Sequence, residues 1–394
     1  MRIGIAKETS ANESRVALTP ENVARLSGSG ATFAVESGAG LAAGFSDQDY
    51  RDAGAEIKPS AEDIYRQSDI LVRVNLSGQM LNTVSASLQS KQLLIGMMDP
   101  LAEPERFTTL AEQGVSSIAM ELIPRISRAQ SMDVLSSMAT IAGYKSVLLA
   151  ASASQRIYPM MMTAAGNLSP ARVFIMGAGV AGLQAAATAK RMGAVVEAYD
   201  VRPAAREQII SVGAKPIELE LDANTAEDQG GYAQAQGEAF LQRQRELMAD
   251  VLSQQDIVIT TAAIPGAKSP VLITADMVRQ MKRGAVIVDL ASERGGNCEL
   301  TQHGKVIVAE GVTIIGPDNI TSTVAHHASQ MYGNNIENLL NHILDDQGRY
   351  ALDFDDEIIQ ESVVTHAGDI LNNRIREKLN LPLLGRESLL KEVA

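Results

Sequence analysis

Short runs of apolar and β-branched residues alternate along this chain with stretches in which apolar residues recur every three or four positions. A strand followed by a helix, repeated many times, is the pattern of a parallel sheet covered by helices on both faces. In the first third the predicted strands are Arg2–Ala6, Thr32–Val35, Ile70–Val74, Leu93–Met97 and Ser117–Met120. Thr19-Pro20-Glu21 lies between the first two and predicts a helix start: a capping hydroxyl, proline at the first helical position and an acid in the first turn. A second series opens near Arg172, with strands predicted at Val173–Met176, Val195–Tyr199, Ile217–Leu219, Ile257–Thr260, Val286–Asp289 and Thr313–Ile315. The fold class is therefore α/β, two doubly wound, Rossmann-like parallel-sheet domains. No short repeat suggests a solenoid.

Two long helices are expected to join the halves. Met138, Ile141, Ala142, Lys145, Ser146 and Leu149 fall at helical spacing within Ser136–Ala151, and Ile336, Leu339, Leu340 and Ile343 share one face of Asn334–Leu344. The first α/β domain is then residues 1–135 plus 330–394, and the second, residues 136–329, is inserted in it. A cleft flanked by the two is the expected ligand site. With 394 residues and 45% apolar side chains, the chain is too long for a single hydrophobic core. The acidic, glycine-containing segment Leu221–Gln236 breaks the alternation and reads as a long loop, either mobile and functional or a simple insertion.

Charge and cysteine content narrow the setting. A net charge of −13 argues against a nucleic-acid partner, whose phosphates demand clustered Lys and Arg. Cys298 is the only cysteine, so no internal disulfide forms and a reducing compartment is expected. The N-terminus reads as a short strand, with no apolar core of a signal peptide. Val173–Ala189 is the stretch that could mislead a hydropathy plot; it is read as buried strand plus helix, so no segment is expected to cross a membrane.

The strongest motif is Gly177-Ala178-Gly179-Val180-Ala181-Gly182. GxGxxG alone is weak, but here it follows an apolar strand, opens a helix and is followed by a second strand, a complete βαβ unit. Gly177 allows the sharp turn, Gly179 a close approach of backbone to pyrophosphate, and Gly182 tight contact of helix and strand; Ala178 and Val180 lie beside them. Uncapped N–H groups at the helix start favour phosphate. Asp200, eighteen residues beyond Gly182, ends the second strand where a carboxylate can accept from ribose hydroxyls. Such an acid repels a 2′-phosphate and favours NAD over NADP; Val201 and Arg202 follow it, and an arginine there can instead accept that phosphate. Thr261, Ala262 and Leu290 end the next two strands and either line the nicotinamide end or form ordinary turns.

All five histidines, His303, His326, His327, His342 and His366, lie after residue 302, so a general base for alcohol or amine oxidation is scarce in the first two thirds. The His326-His327 pair has too few companions for zinc, and no metal site is expected. The loop Pro124–Asp133 follows the last strand of the first half, where loops face a ligand crevice. Arg125, Gln130, Asp133 and Ser136 either reach a bound nucleotide from there or form a solvated loop.

These segments carry a family resemblance. The chain resembles the NAD(H)-binding component, domain I, of the proton-translocating nicotinamide nucleotide transhydrogenases, and their relative alanine dehydrogenase. The similarity is dense in Met120–Asp133, in the glycine turn, and in Val288-Asp289-Leu290-Ala291 followed by Gly295-Gly296-Asn297-Cys298, while the tail beyond Leu344 matches poorly. Alanine dehydrogenases place an arginine where Arg15 stands, but also a lysine and a histidine in the next strands and an aspartate before the Gly-Gly pair. This chain has Asn75, Ile95-Gly96-Met97-Met98 and Glu293-Arg294 instead.

The resemblance implies a Re/Si-specific NAD(P)+ transhydrogenase component, an oxidoreductase of the translocase class. It implies NAD(H) as cofactor, with NADP(H) held by the NADP(H)-binding domain of a beta subunit. Hydride then passes directly from one nicotinamide to the other, with Arg125, Gln130, Asp133 and Ser136 at the nicotinamide ends and the segment around Tyr232 closing over NAD(H). It further implies a homodimer, docked with membrane-spanning partners, a second alpha polypeptide and beta subunits, that carry out proton translocation. A cytoplasmic chain, peripheral at the inner membrane through those partners, is the corresponding location. An amino- or imino-acid dehydrogenase and a non-catalytic NAD(H)-responsive module are the alternatives.

Overall fold

The computed structural model describes residues 1–219, 238–263, 266–345 and 347–385. In chain order the strands are β1 (Arg2–Ile5), β2 (Thr32–Glu36), β3 (Glu56–Lys58), β4 (Ile70–Asn75), β5 (Leu93–Met97), β6 (Ser116–Ala119), β7 (Met161–Thr163), β8 (Gly166–Leu168) and β9 (Arg172–Met176). They continue with β10 (Val195–Tyr199), β11 (Lys215–Pro216), β12 (Ile257–Thr260), β13 (Val286–Asp289), β14 (Lys305–Ala309), β15 (Val312–Gly316), β16 (Val363–His366) and β17 (Asp369–Ile370). Contacts gather them into two units, Met1–Met138 together with the chain from Ser322, and Ala139–Thr321.

The first unit holds a sheet of order β17-β16-β6-β5-β4-β1-β2-β3. β1 to β6 pair in parallel, while β16 and β17 join the β6 edge antiparallel. The strands are buried almost throughout, as a sheet covered on both faces requires. Thr19 caps the helix Pro20–Leu26 in a reciprocal arrangement with Asn22, and Asn22 extends to Asn334 and Glu337 on the helix Ala325–Ile343.

The second unit has the order β11-β10-β9-β12-β13-β15-β14, parallel except for β14. Its strands alternate between two cores. Val173, Ile175, Val196, Ala198, Ile257 and Ile259 pack with Ala185, Ala186 and Ala189 of the helix Val180–Arg191. Phe174, Met176, Tyr199, Val258 and Ile287 face Met248, Leu252 and Met277 on the other side. This two-sided burial makes the strand runs read as continuous apolar stretches.

The differences from expectation have local causes. The strand expected at Ile217–Leu219 is β11, two residues earlier, although the Ile217 N–H still donates to the Ala198 carbonyl at 2.8 Å. β3, β7, β8, β14 and β17 are short or lie at edges, where burial leaves little periodic trace, while β16, a four-residue strand inside the sheet, is likewise absent from the expectation. The predicted helices form as Val134–Ala153 and Ala325–Ile343, the latter starting earlier because Ala328, Ser329 and Tyr332 are buried. Val173–Ala189 is β9, turn and helix. Among the described residues, the helix long and apolar enough to cross a membrane by length and composition is Val134–Ala153, with mean hydropathy 1.4.

Candidate functional site

The glycine turn runs from the C-terminal end of β9 into the helix Val180–Arg191. Gly177 has φ +101°, a left-handed conformation in which a side chain is strained, and an added Cβ would stand 2.6 Å from Thr261 Oγ1. At Gly182 a Cβ would stand 1.8 Å from the Gly177 carbonyl oxygen, so helix and turn touch directly. Gly179, the N-cap, has φ −75° and ψ −169°, which any residue adopts, and a Cβ there meets nothing within 4 Å. Its lack of a side chain is thus not needed by the fold. No side chain caps this helix, which leaves its first-turn N–H groups for an anion. A cradle open at Gly179 and closed at Gly177 and Gly182 fits a dinucleotide pyrophosphate.

Asp200 follows β10 as predicted, but its carboxylate is heavily engaged. Oδ2 accepts from the Ala178 N–H at 2.7 Å and an Arg202 terminal nitrogen at 3.0 Å; Oδ1 accepts from the Arg202 N–H and Nε, both at 2.9 Å. Ribose hydroxyls that bind Asp200 must therefore displace one of these donors, and Arg202 is the one with a movable side chain. Val201 is half-buried beside them.

The strand-end loops are braced from within. Thr261 Oγ1 donates to the Gly177 carbonyl at 3.0 Å, and the Leu290 N–H to the Thr260 carbonyl at 2.9 Å. Asn297, fully buried, accepts from the Ala262 N–H at 3.0 Å and donates to the carbonyls of Ala262 at 2.8 Å and Pro270 at 2.9 Å. Buried Asp289 accepts from Thr260 Oγ1, Thr301 Oγ1 and the N–H groups of Ala291, Asn297 and Cys298. Asp289 is expected from the sequence only as part of the strand end Asp289-Leu290-Ala291 that lines the nicotinamide end or forms an ordinary turn, and neither its bracing role nor Asn297 is foreseen; the signal is that both lie in segments carrying the resemblance. Burial pushes the Cys298 thiol up to about 11, so it is no nucleophile at neutral pH. Gly143 is a further positioning residue: a Cβ there would stand 2.1 Å from the Ala181 carbonyl oxygen, so it lets the helix Val134–Ala153 touch the start of the helix Val180–Arg191. Tyr232 and the segment around it lie outside the described residues.

In the first unit Asp133 caps the helix Val134–Ala153. Its carboxylate accepts from the Ser136 N–H at 2.8 Å and the Ser136 hydroxyl at 2.6 Å, and Arg125 Nε stands 3.9 Å away. Arg125, Asp133 and Ser136 thus form one cluster, with Gln130 exposed on the turn Ser127–Met132 and buried Ala129 and Met132 anchoring it. His326 is engaged structurally, bonded to the Ala43 carbonyl at 2.9 Å and stacked on Phe45.

Two other charged groups belong to the first unit. Arg15 is buried and clamped by Glu13, Nε to Oε1 at 2.7 Å and a terminal nitrogen to Oε2 at 2.6 Å. Glu121, just beyond β6, accepts through Oε1 from the N–H groups of Met98, at 2.6 Å, and Asp99, while its buried Oε2 has no partner among the described residues. Burial outweighs those hydrogen bonds and pushes the Glu121 carboxyl up to about 7.

Comparison with known proteins matches both halves. The family model "Alanine dehydrogenase/PNT, N-terminal domain" covers residues 4–142 and "Alanine dehydrogenase/PNT, C-terminal domain" residues 146–373, so the similarity extends well past Leu344, farther than the sequence motifs alone suggest. The first of the polypeptides that make up the NAD(P) transhydrogenase alpha subunit of Rhodospirillum rubrum is 44% identical over 376 residues, 94% of this chain and 98% of that protein. The alanine dehydrogenase of Bacillus subtilis is 31% identical over 306 residues, 77% of this chain and 74% of that protein. The crystal structure of transhydrogenase from Sinorhizobium meliloti superposes with a TM-score of 0.82 at 41% identity, covering 94% of this chain and 99% of that one.

Proposed function

The chain belongs to the alanine dehydrogenase/PNT family, and from that premise we propose that it is the NAD(H)-binding subunit of a proton-translocating NAD(P)+ transhydrogenase. Its similarity to transhydrogenase alpha subunits makes it a transhydrogenase component, an oxidoreductase with an NAD-binding Rossmann-like fold. The finer reading is that it presents NADH for direct hydride transfer to NADP+ held by the beta subunit, with proton translocation in the membrane partners.

The observation that carries this reading over alanine oxidation is the buried Glu13–Arg15 pair. A small carboxylate substrate needs a cation, and this arginine is already neutralised by the chain's own acid. β4 ends at Asn75 and β5 at Met97, where a lysine and a histidine would otherwise hold and deprotonate an amino acid. Hydride exchange between two nicotinamides needs neither, because no proton moves at the redox centre.

A bound nicotinamide supplies the hydride chemistry; the residues of the chain bind and orient. Gly177, Gly179 and Gly182 with the helix N-terminus take the pyrophosphate, Asp200 takes ribose hydroxyls, and Thr261, Ala262 and Leu290 bind toward the nicotinamide. Arg125, Gln130, Asp133 and Ser136 serve the nicotinamide ends of both nucleotides. The exposed hairpin β7–β8, with Met160, Met161, Met162 and Leu168 facing solvent, supports a homodimer, since such a patch on an isolated two-stranded sheet calls for cover. Attachment through the beta subunit and the second alpha polypeptide gives a peripheral position on the cytoplasmic side of the inner membrane.

The test mixes the purified chain with the beta subunit's NADP(H)-binding domain and follows reduction of an NAD analogue by NADPH. Transfer dependent on both proteins is expected. Absence of transfer, or NADH formation from alanine by the chain alone, refutes the proposal.

A further inference from the structure

We propose that Arg128 and Asp356 form a tether that positions the turn Ser127–Met132, and Gln130 on it, for hydride transfer; the inference rests on Gln130 serving the nicotinamide ends. The two residues are 228 positions apart in sequence and meet through the topology of the first unit. β16 runs antiparallel to β6 with Val363 opposite Ile118, so the segment before β16 arrives where β6 ends. That segment is the short helix Glu357–Ser362, with Asp356 as its N-cap. The turn Ser127–Met132 leaves the same end of β6.

Asp356 is held independently of the turn. Oδ1 accepts from the Ile358 N–H at 2.9 Å, the helix cap, and Oδ2 from His342 Nε2 at 2.6 Å. Burial opposes ionisation of this carboxyl, yet hydrogen bonds from Arg128, Ile358 and His342 outweigh it and hold the acid down at about 2. An ionised carboxylate only accepts, so His342 Nε2 carries the hydrogen. Arg128 completes the set by donating from Nη2 to Oδ1. Its side chain is 51% exposed against 11% for Asp356. The acid is thus the anchor and the arginine its movable partner.

A second tether holds the same turn. Buried Asn335 donates from Nδ2 to the Ser131 carbonyl at 2.7 Å. Asn335 and His342 are two turns apart on the helix Ala325–Ile343 and share one face, so this helix backs both tethers. Attachments at Arg128 and Ser131 therefore bracket Gln130, which is exposed, while Ala129 and Met132 are buried. An ion pair with an exposed partner adds little to stability. Its value here is geometric, because direct transfer depends on ring placement and a displacement of about 1 Å can cost about 100-fold in rate.

Stopped-flow hydride transfer between the full chain and the beta subunit's NADP(H)-binding domain tests the tether. R128A and D356N are expected to slow transfer at saturating nucleotide about 5–50-fold. NADH affinity by calorimetry should stay unchanged, because the glycine-turn cradle lies in the second unit. Asparagine still caps the helix, so D356N keeps the fold, which far-UV circular dichroism checks. R128K is expected to recover part of the rate, and the double variant to be no slower than either single one, since the two residues act as a unit. Hydrogen–deuterium exchange of the Ser127–Met132 amides should quicken in both single variants. Undiminished transfer in R128A and D356N, or additive losses in the double variant, overturns the tether and leaves the proposed function standing. An unsubstituted chain that transfers nothing overturns the proposed function and the tether's role with it.

Discussion

Replacing Glu121 by Gln removes one titration from the interior of the first unit without changing the shape of the side chain. The carboxyl is moved from an ordinary 4.5 to about 7, chiefly by burial, against the opposing hydrogen bonds from Met98 and Asp99. The folded chain therefore holds this proton when the unfolded chain has released it. Stability from this group is fully present below about pH 4.5 and is lost as pH rises towards 7. At about 1.36 kcal/mol per pH unit, the interval corresponds to about 3 kcal/mol, of which about 2.5 kcal/mol falls between pH 5 and pH 8. The amide of E121Q cannot titrate, so the stability difference between variant and parent shifts in favour of the variant by about 2–3 kcal/mol over that range. Urea unfolding of both proteins at matched concentration, at pH 5, 6.5 and 8, measures it, and other titrating groups cancel in the difference. Parallel pH profiles for the two proteins would refute the reasoning.

Gly179→Ala is expected to leave thermal stability unchanged, since its Cβ meets only open space, yet to weaken NADH binding at least tenfold by calorimetry; Gly182→Ala, driven against the Gly177 carbonyl, should instead lower stability by about 1–3 kcal/mol. Equal effects of the two would contradict their assigned roles. Asn297→Ala strips three buried hydrogen bonds from the Ala262 loop and should cost the second unit about 2–4 kcal/mol in denaturant unfolding. Asp200→Asn should weaken NADH binding by isothermal titration and narrow the preference over NADPH; an unchanged ratio of the two affinities argues against a ribose role. Met160→Asp combined with Met162→Asp should shift light-scattering mass from dimer to monomer with the fold retained, and an unaltered mass would remove the hairpin from the interface.

The α/β class, most central strands and the glycine turn were legible in the sequence because each depends on neighbours close along the chain. Two-faced burial writes a continuous apolar run, a cap writes Thr19-Pro20-Glu21, and a βαβ unit compresses strand, turn and helix into Val173–Tyr199. Edge strands such as β3, β14 and β17 left no comparable trace, because a half-covered strand owes its place to the partner it meets.

Tertiary structure decided what holds the site and what charges it contains. Asn297 reaches the Ala262 loop across 35 residues of chain, and Asp289 collects donors as far off as Thr260. Asp200 stood out by position, but its occupation by Ala178 and Arg202 depends on the folded turn. The raised pKa of Glu121 and the meeting of Arg128, His342 and Asp356 arise from burial and strand order. Local periodicity specifies which elements form. Hydrogen-bond partners, desolvation and converging charges depend on distances between segments remote in sequence, and those exist only once the chain has folded.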